Sequence, residues 1–246
     1  MRAVSIRLLT WNLQGSKGVV VAAVAATIAA HAPDVVMLQE VPRRQATQLA
    51  RQLALPHLHW TFKHWPVPAK AEGMAIMTAH RALQFRSYVV GRAPWWSWRR
   101  RVALEADVFV GGHLRSFVCV HLSPHDAAER RSRQAEIVLR RRRPSTAVIA
   151  GDFNDDPTGP APARLLAGGW VDAWADRHGD AAGATNWTIG DRVGRLPTQR
   201  LDYVFVPAGW TVADCLVVDA PLEPLAQLSD HLPLVAVVDP PDGTDG

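Results

Sequence analysis

Two cysteines in 246 residues exclude a disulfide-stapled scaffold. Both, Cys119 and Cys215, lie inside apolar, strand-like runs, where a thiol acts as a small core residue. A bilayer-spanning run is also lacking: the apolar stretch 19–30 is too short, and its alanines suit a core helix. No linker composition divides the chain and no internal repeat is visible, so residues 1–238 read as one domain. Residues 239–246, rich in Pro, Gly and Asp, read as a disordered tail. Strand signal begins at Val4, which leaves no room for a signal peptide, and the expected location is the cytoplasm.

What is present is a large apolar reserve, 48% of residues, and a formal charge of +4. Arginines cluster at 99–101, 130–133 and 140–143. Such clusters suit a polyanion, or equally a solvated helix face. The patterning predicts strands over 4–11, 34–40, 73–78, 85–90, 102–110, 116–121, 147–150, 201–206, 211–218 and 232–238. Helices are predicted over 19–31, 42–54 and 127–143, the first stopped by Pro33 and the last by Pro144. Gly111-Gly112 marks a hairpin turn. Strands outnumber helices, and hairpins mix with helical crossovers. The expected fold is therefore α/β (α+β), two packed mixed sheets with helices outside.

The chemistry concentrates where apolar runs end. Gly151-Asp152-Phe153-Asn154 follows one run and Ser229-Asp230-His231 precedes another, while Asn12 and Glu40 end two more. Carboxylates and amides seldom interrupt such runs for packing reasons, because burying them unpaired is costly. Oxygen ligands plus an imidazole suit a hard divalent cation and phosphate chemistry. Glu40, a lone carboxylate beside Gln39, is the leading metal ligand; a surface salt bridge is the plainer reading. Asp152 and Asn154 are two apart, and extended backbone would point them to the same side. Asp152 would take a proton from, or orient, an attacking water, and Asn154 would hold that water or a phosphate oxygen. An Asx-rich turn is the alternative. Asp230 and His231 would face opposite ways in a strand, so a turn must bring both inward.

Seven motifs then occur in order: Trp11-Asn12, Leu38-Gln39-Glu40, Glu72-Gly73-Met74-Ala75-Ile76, Val120-His121-Leu122-Ser123, Gly151-Asp152-Phe153-Asn154, Arg200-Leu201-Asp202-Tyr203-Val204 and Ser229-Asp230-His231-Leu232-Pro233. Together they resemble the endonuclease/exonuclease/phosphatase family. The resemblance implies a four-layer α/β/β/α sandwich and a divalent-metal-dependent phosphoester hydrolase, with Mg²⁺ the natural ion and Mn²⁺ a possible substitute. It implies metal binding at Glu40 with Asn12 nearby, and at Asp230 as a second metal or water ligand. It also implies that His231 contacts the scissile phosphate, oriented by Asp202, and that His121 is a second imidazole with Glu72 as its partner. Two features depart from the AP endonuclease branch. Gln14 stands where that branch has an acid, and Tyr88 and Tyr203, the only tyrosines, offer no match to its mid-chain active-site tyrosine. Asp155-Asp156-Pro157 looks more like the hydrolase and phosphatase branches, yet the long basic motifs of inositol phosphatases are absent.

The substrate is less legible. Trp96 and Trp98, with Trp95 and a run of arginines to Arg101, could stack bases and hold phosphates of a single strand. They could also form an interfacial patch on a lipid surface, or pack as core. Three functions stand: a nuclease-type phosphodiesterase on nucleic acid, a hydrolase of a small or lipid phosphoester, and a non-catalytic binding module. The basic clusters favour the first, acting as a monomer, with a membrane surface as the lesser partner. The last is disfavoured because every candidate position keeps a competent residue.

Overall fold

Strand β1 (Ile6–Asn12) is apolar on both faces: Ile6 and Leu8 point into one core layer, Leu9 and Trp11 into another. A strand covered on both sides must read this way, and most strands here do. The computed structural model describes residues 4–63, 72–92, 100–124, 128–141, 147–187, 192 and 194–241. One six-stranded sheet has β1 at its centre, in the order β11 (Thr211–Val217), β12 (Leu234–Asp239), β1, β2 (Val35–Pro42), β4 (Glu72–Thr78), β3 (His57–Phe62). The second runs β5 (Ala82–Arg92), β6 (Arg100–Val110), β7 (His113–His121), β8 (Ala147–Asp152), β10 (Asp202–Pro207), β9 (Trp170–Asp172). Among the described residues only β1–β2 and β7–β8 pair in parallel, so both sheets are mixed.

Three apolar layers make four structural ones. Between the sheets lie Leu8, Met37, Ile76, Phe117, Val148 and Val204. Outside the first sheet, α1 (Val21–Ala30), α2 (Arg43–Gln52) and α6 (Leu222–Leu228) cover Trp11, Leu38 and Val235. Outside the second, α3 (Ala128–Arg140) and α4 (Pro160–Ala167) cover Val118, Ile149 and Phe205. This is the α/β/β/α sandwich. Among the described residues no helix is long and apolar enough to cross a membrane.

Five elements carried too weak a pattern to be read in advance. Strand β3 is half-exposed along its length, so it lacks a clean apolar face. Helix α4 holds Pro160 and Pro162, which read as loop until the first is seen in the opening turn, where proline's missing N–H costs nothing. Helix α6 contains Pro224 and is only seven residues long. Helix α5 (Ala173–His178) and β9 are shorter still, and α5 is held by Asp172, whose carboxylate accepts from the N–H groups of Trp174 and Ala175. Strand β12 takes in Asp239, the first residue of the expected tail; residues 242–246 lie outside the described residues.

Candidate active site

The register of the second sheet sets one row of the site. His121 on β7 is paired with Asp152 on β8, and Asp152 with Asp202 on β10. The strands come this close at that row because Gly151, at φ +140, leaves room for the Val120 carbonyl, which a Cβ would meet at 2.1 Å. The first sheet supplies the facing edge: Asn12 ends β1, and its Nδ2 donates across the sheets to Asp152 Oδ2 at 2.9 Å. Gly15 lets the loop after β1 press on β2, with a Cβ position only 2.1 Å from the Glu40 carbonyl oxygen. Glu40 itself sits at a bulge in β2 with φ 54, which turns its side chain off the regular pleat.

The turn before β12 is tied down by β1. Ser229 Oγ donates to the Asn12 carbonyl at 2.5 Å and accepts from the His231 N–H at 3.1 Å. Trp11 Nε1 donates to the His231 carbonyl at 2.8 Å. The imidazole then lies with Nδ1 2.7 Å from Asp202 Oδ2, which also accepts from Thr185 Oγ1 at 2.7 Å. His231 Nε2 stands 3.8 Å from Asp152 Oδ2, and His121 Nε2 3.4 Å from the same oxygen. Asp230 also lines this space and accepts from Gln14 Nε2 at 2.6 Å, while Arg192 donates to the amide oxygen of Gln14 at 3.1 Å. The extended-backbone expectation for Asp152 and Asn154 does not hold. Asn154 has φ 50, its N–H caps Asp152 Oδ1 at 2.8 Å, and its Nδ2 donates to the Leu122 carbonyl. The Asx turn and the site are the same structure.

Burial works against charge on His231, but Asp202 and Asp152 beside it outweigh burial and raise its pKa to about 10. Burial, with the charge of Asp202 added, raises Asp152 to about 6 despite His231 and the Asn12 and Asn154 donors. An imidazolium and a carboxylate that ionises just below neutrality therefore share one wall.

These groups open into a cavity of about 220 Å³, lined by Asn12, Glu40, Lys63, Arg101, His121, Asp152, Asn154, Asp230 and His231, with Asn186, Trp187, Gln199 and Leu201. The endonuclease/exonuclease/phosphatase family model matches residues 9–231. The chain belongs to the endonuclease/exonuclease/phosphatase family. It is thus an enzyme of phosphoester hydrolysis. Similar solved structures include an endonuclease/exonuclease/phosphatase of Beutenbergia cavernae, 26% identical with TM-score 0.76, covering 96% of this chain and 72% of that one. The human Nocturnin catalytic domain with bound sulfate is 21% identical at TM-score 0.76, covering 96% and 93%. Danio rerio TDP2 complexed with a single-strand DNA product is 18% identical at TM-score 0.73, covering 96% and 99%. The last two speak for the fold alone. No curated protein matches the chain significantly.

In this family's fold the donor set suits a hard divalent cation. Asp152, Asp202 and His231 place ligand atoms within 4.8 Å of one another. Asp202, however, is fully buried and already accepts from His231 and Thr185, so its oxygen serves the imidazole. Glu40 is the more open carboxylate: its side chain is 18% exposed, it lines the cavity, and it is paired there with the Lys63 ammonium. Asn12 and Asp230 line the same space. Glu72 stands 3.8 Å from Lys63 Nζ, and the carboxylates beside His121 are Asp152 and, at 3.8 Å, Glu40. Arg101 is buried and lines the cavity; Trp96 and Trp98 lie outside the described residues.

Sequence reading missed Lys63, Thr185, Asn186, Trp187 and Gln199. Lys63 follows the unrecognised β3. Asn186 reaches the site through isolated bridges to Gln199 and His231, pairings without a sequence pattern. Thr185-Asn186-Trp187 was the one available signal, a buried polar pair before an aromatic.

Proposed function

We propose that the protein is a divalent-metal-dependent phosphodiesterase of nuclease type, with Mg²⁺ as its ion and Mn²⁺ as a substitute, acting on nucleic acid as a monomer through the single domain 1–238. The observation that carries this reading is the His231–Asp202 pair standing against Asp152 in a cavity that also holds Glu40. When bound at Glu40, with Asn12 and Asp230 alongside, the cation supplies neutralisation of charge building on the phosphoryl group.

The chain's own groups do the rest. Asp152 takes a proton from water as the water oxygen bonds to phosphorus in line with the leaving oxygen. Asn12 and the Asn154 N–H hold that carboxylate in place. His231, charged at neutral pH, donates to a phosphoryl oxygen and stays oriented through Nδ1 by Asp202. As the bond to the leaving oxygen breaks, that oxygen takes a proton from one of the two imidazoles. Arg101, buried in the cavity lining, adds positive charge there for a phosphate group.

The test is hydrolysis of single-stranded DNA, duplex DNA, RNA and bis-p-nitrophenyl phosphate with Mg²⁺ or Mn²⁺. Glu40→Ala and His231→Ala are expected to lose on the order of 10²–10⁴ in rate on a polynucleotide. Full polynucleotide activity in either variant would sink the assignment. The small cavity, about 220 Å³, favours a second reading, a small or lipid phosphoester. Turnover of the small ester alone would establish that one.

A further inference from the structure

Lys63 is the first residue past β3, and its N–H donates to the Glu72 carbonyl at 3.0 Å, so the β3–β4 ladder continues just far enough to deliver its side chain into the cavity. That side chain is only 7% exposed. Its ammonium donates to Glu40 Oε1 and stands 3.8 Å from Glu72 Oε2. An ammonium buried to this degree is held by its carboxylates and would be strongly destabilising without them. Burial lowers the Lys63 pKa, with the Arg101 charge adding to the fall, and Glu40 and then Glu72 oppose it.

The oxygen that Lys63 occupies belongs to the carboxylate assigned to the divalent cation in the proposed function, on which this step rests. An ammonium and a metal ion drawn to the same Glu40 carboxylate repel each other, so metal binding there works against the Lys63–Glu40 ion pair. Glu72 offers the displaced ammonium a destination. Ser16 stands against its carboxylate, and its buried Oε1 has, among the described residues, no partner in hydrogen-bond geometry. We infer that Lys63 is the resident counter-cation of Glu40 in the metal-free protein, that metal loading displaces it toward Glu72, and that this exchange sets the affinity of the metal site. Lys63 is thus a positioning residue: it acts on the reaction through Glu40.

Two measurements on the full chain test this. Calorimetric titration with Mn²⁺ compares wild type, Lys63→Met and Glu40→Gln. Lys63→Met is expected to bind at least about tenfold more tightly, because no ion pair has to be broken first, and Glu40→Gln is expected to abolish the binding. The chain has three lysines, Lys17, Lys63 and Lys70, so the Lys63 Nζ resonance is readily assigned in a ¹⁵N-lysine spectrum of wild type. It is expected to move in step with Mg²⁺ occupancy. A purely structural lysine would lower stability when removed but leave both readouts where they were. Equal or weaker metal binding by Lys63→Met, or an Nζ resonance that stays put on loading, would overturn the inference. Because the spectrum is taken on wild type, it tests the exchange even if the variant does not fold. If neither wild type nor Lys63→Met takes metal in a Glu40-dependent way, the metal-centred reading fails, and the inference with it.

Discussion

At the scale of single residues, the site depends on which group holds a proton. His231 keeps its proton to about pH 10 in the folded protein, against an ordinary value of 6.5. Its contribution to stability is therefore whole below pH 6.5 and is lost as pH rises toward 10. Asp152, raised from 3.8 to about 6 chiefly by burial, is tied to His231 through their mutual charges; its own stabilising effect is greatest in acid and fades as pH rises through about 6. In metal-free protein the urea midpoint of wild type is expected to fall between pH 7 and 10, and Asp202→Asn is expected to lose most of that slope. Parallel slopes would mean that the imidazole is not held charged by Asp202. The same variant is expected to lose on the order of 10²–10⁴ in kcat.

Among the elements, the close approach of β7 and β8 matters most. Gly151 sits at φ +140 with the Val120 carbonyl oxygen 2.1 Å from where a Cβ would be. Gly151→Ala must push the strands apart at the row that pairs His121 with Asp152. The expected cost is more than about 2 kcal/mol in urea unfolding, together with a fall in kcat. A loss well under about 1 kcal/mol would show that the ladder relaxes without strain. Strand β3 has a comparable role on the other sheet, since its pairing with β4 carries Lys63 to the cavity.

For the molecule as a whole, the salt dependence of turnover separates the two proposed substrate classes. The chain carries a net +4, and α3 exposes Arg130, Arg133 and Arg140, the last two paired along the helix with Glu129 and Glu136. With a polynucleotide, log kcat/KM is expected to fall linearly with log salt, with a slope set by the number of phosphates engaged. With bis-p-nitrophenyl phosphate it is expected to stay nearly flat. Equal salt responses would point to a substrate held only by the cavity and not by the surface around it.

The sequence by itself determined the layered plan and the residues most costly to bury. Alternating or continuous apolar runs mark most strands because each must fill one or two core layers. Asn12, Glu40, Asp152 and His231 stand out because polar groups at the ends of such runs need partners. Short or proline-bearing elements such as α4, α6 and β9 left no period long enough to read. Only the tertiary structure decided that His121, Asp152 and Asp202 lie in one row, that Asn12 reaches Asp152 from the other sheet, and that Lys63 rests on Glu40. These are relations of register and sheet packing between residues far apart in the chain, and no local preference in the sequence encodes them.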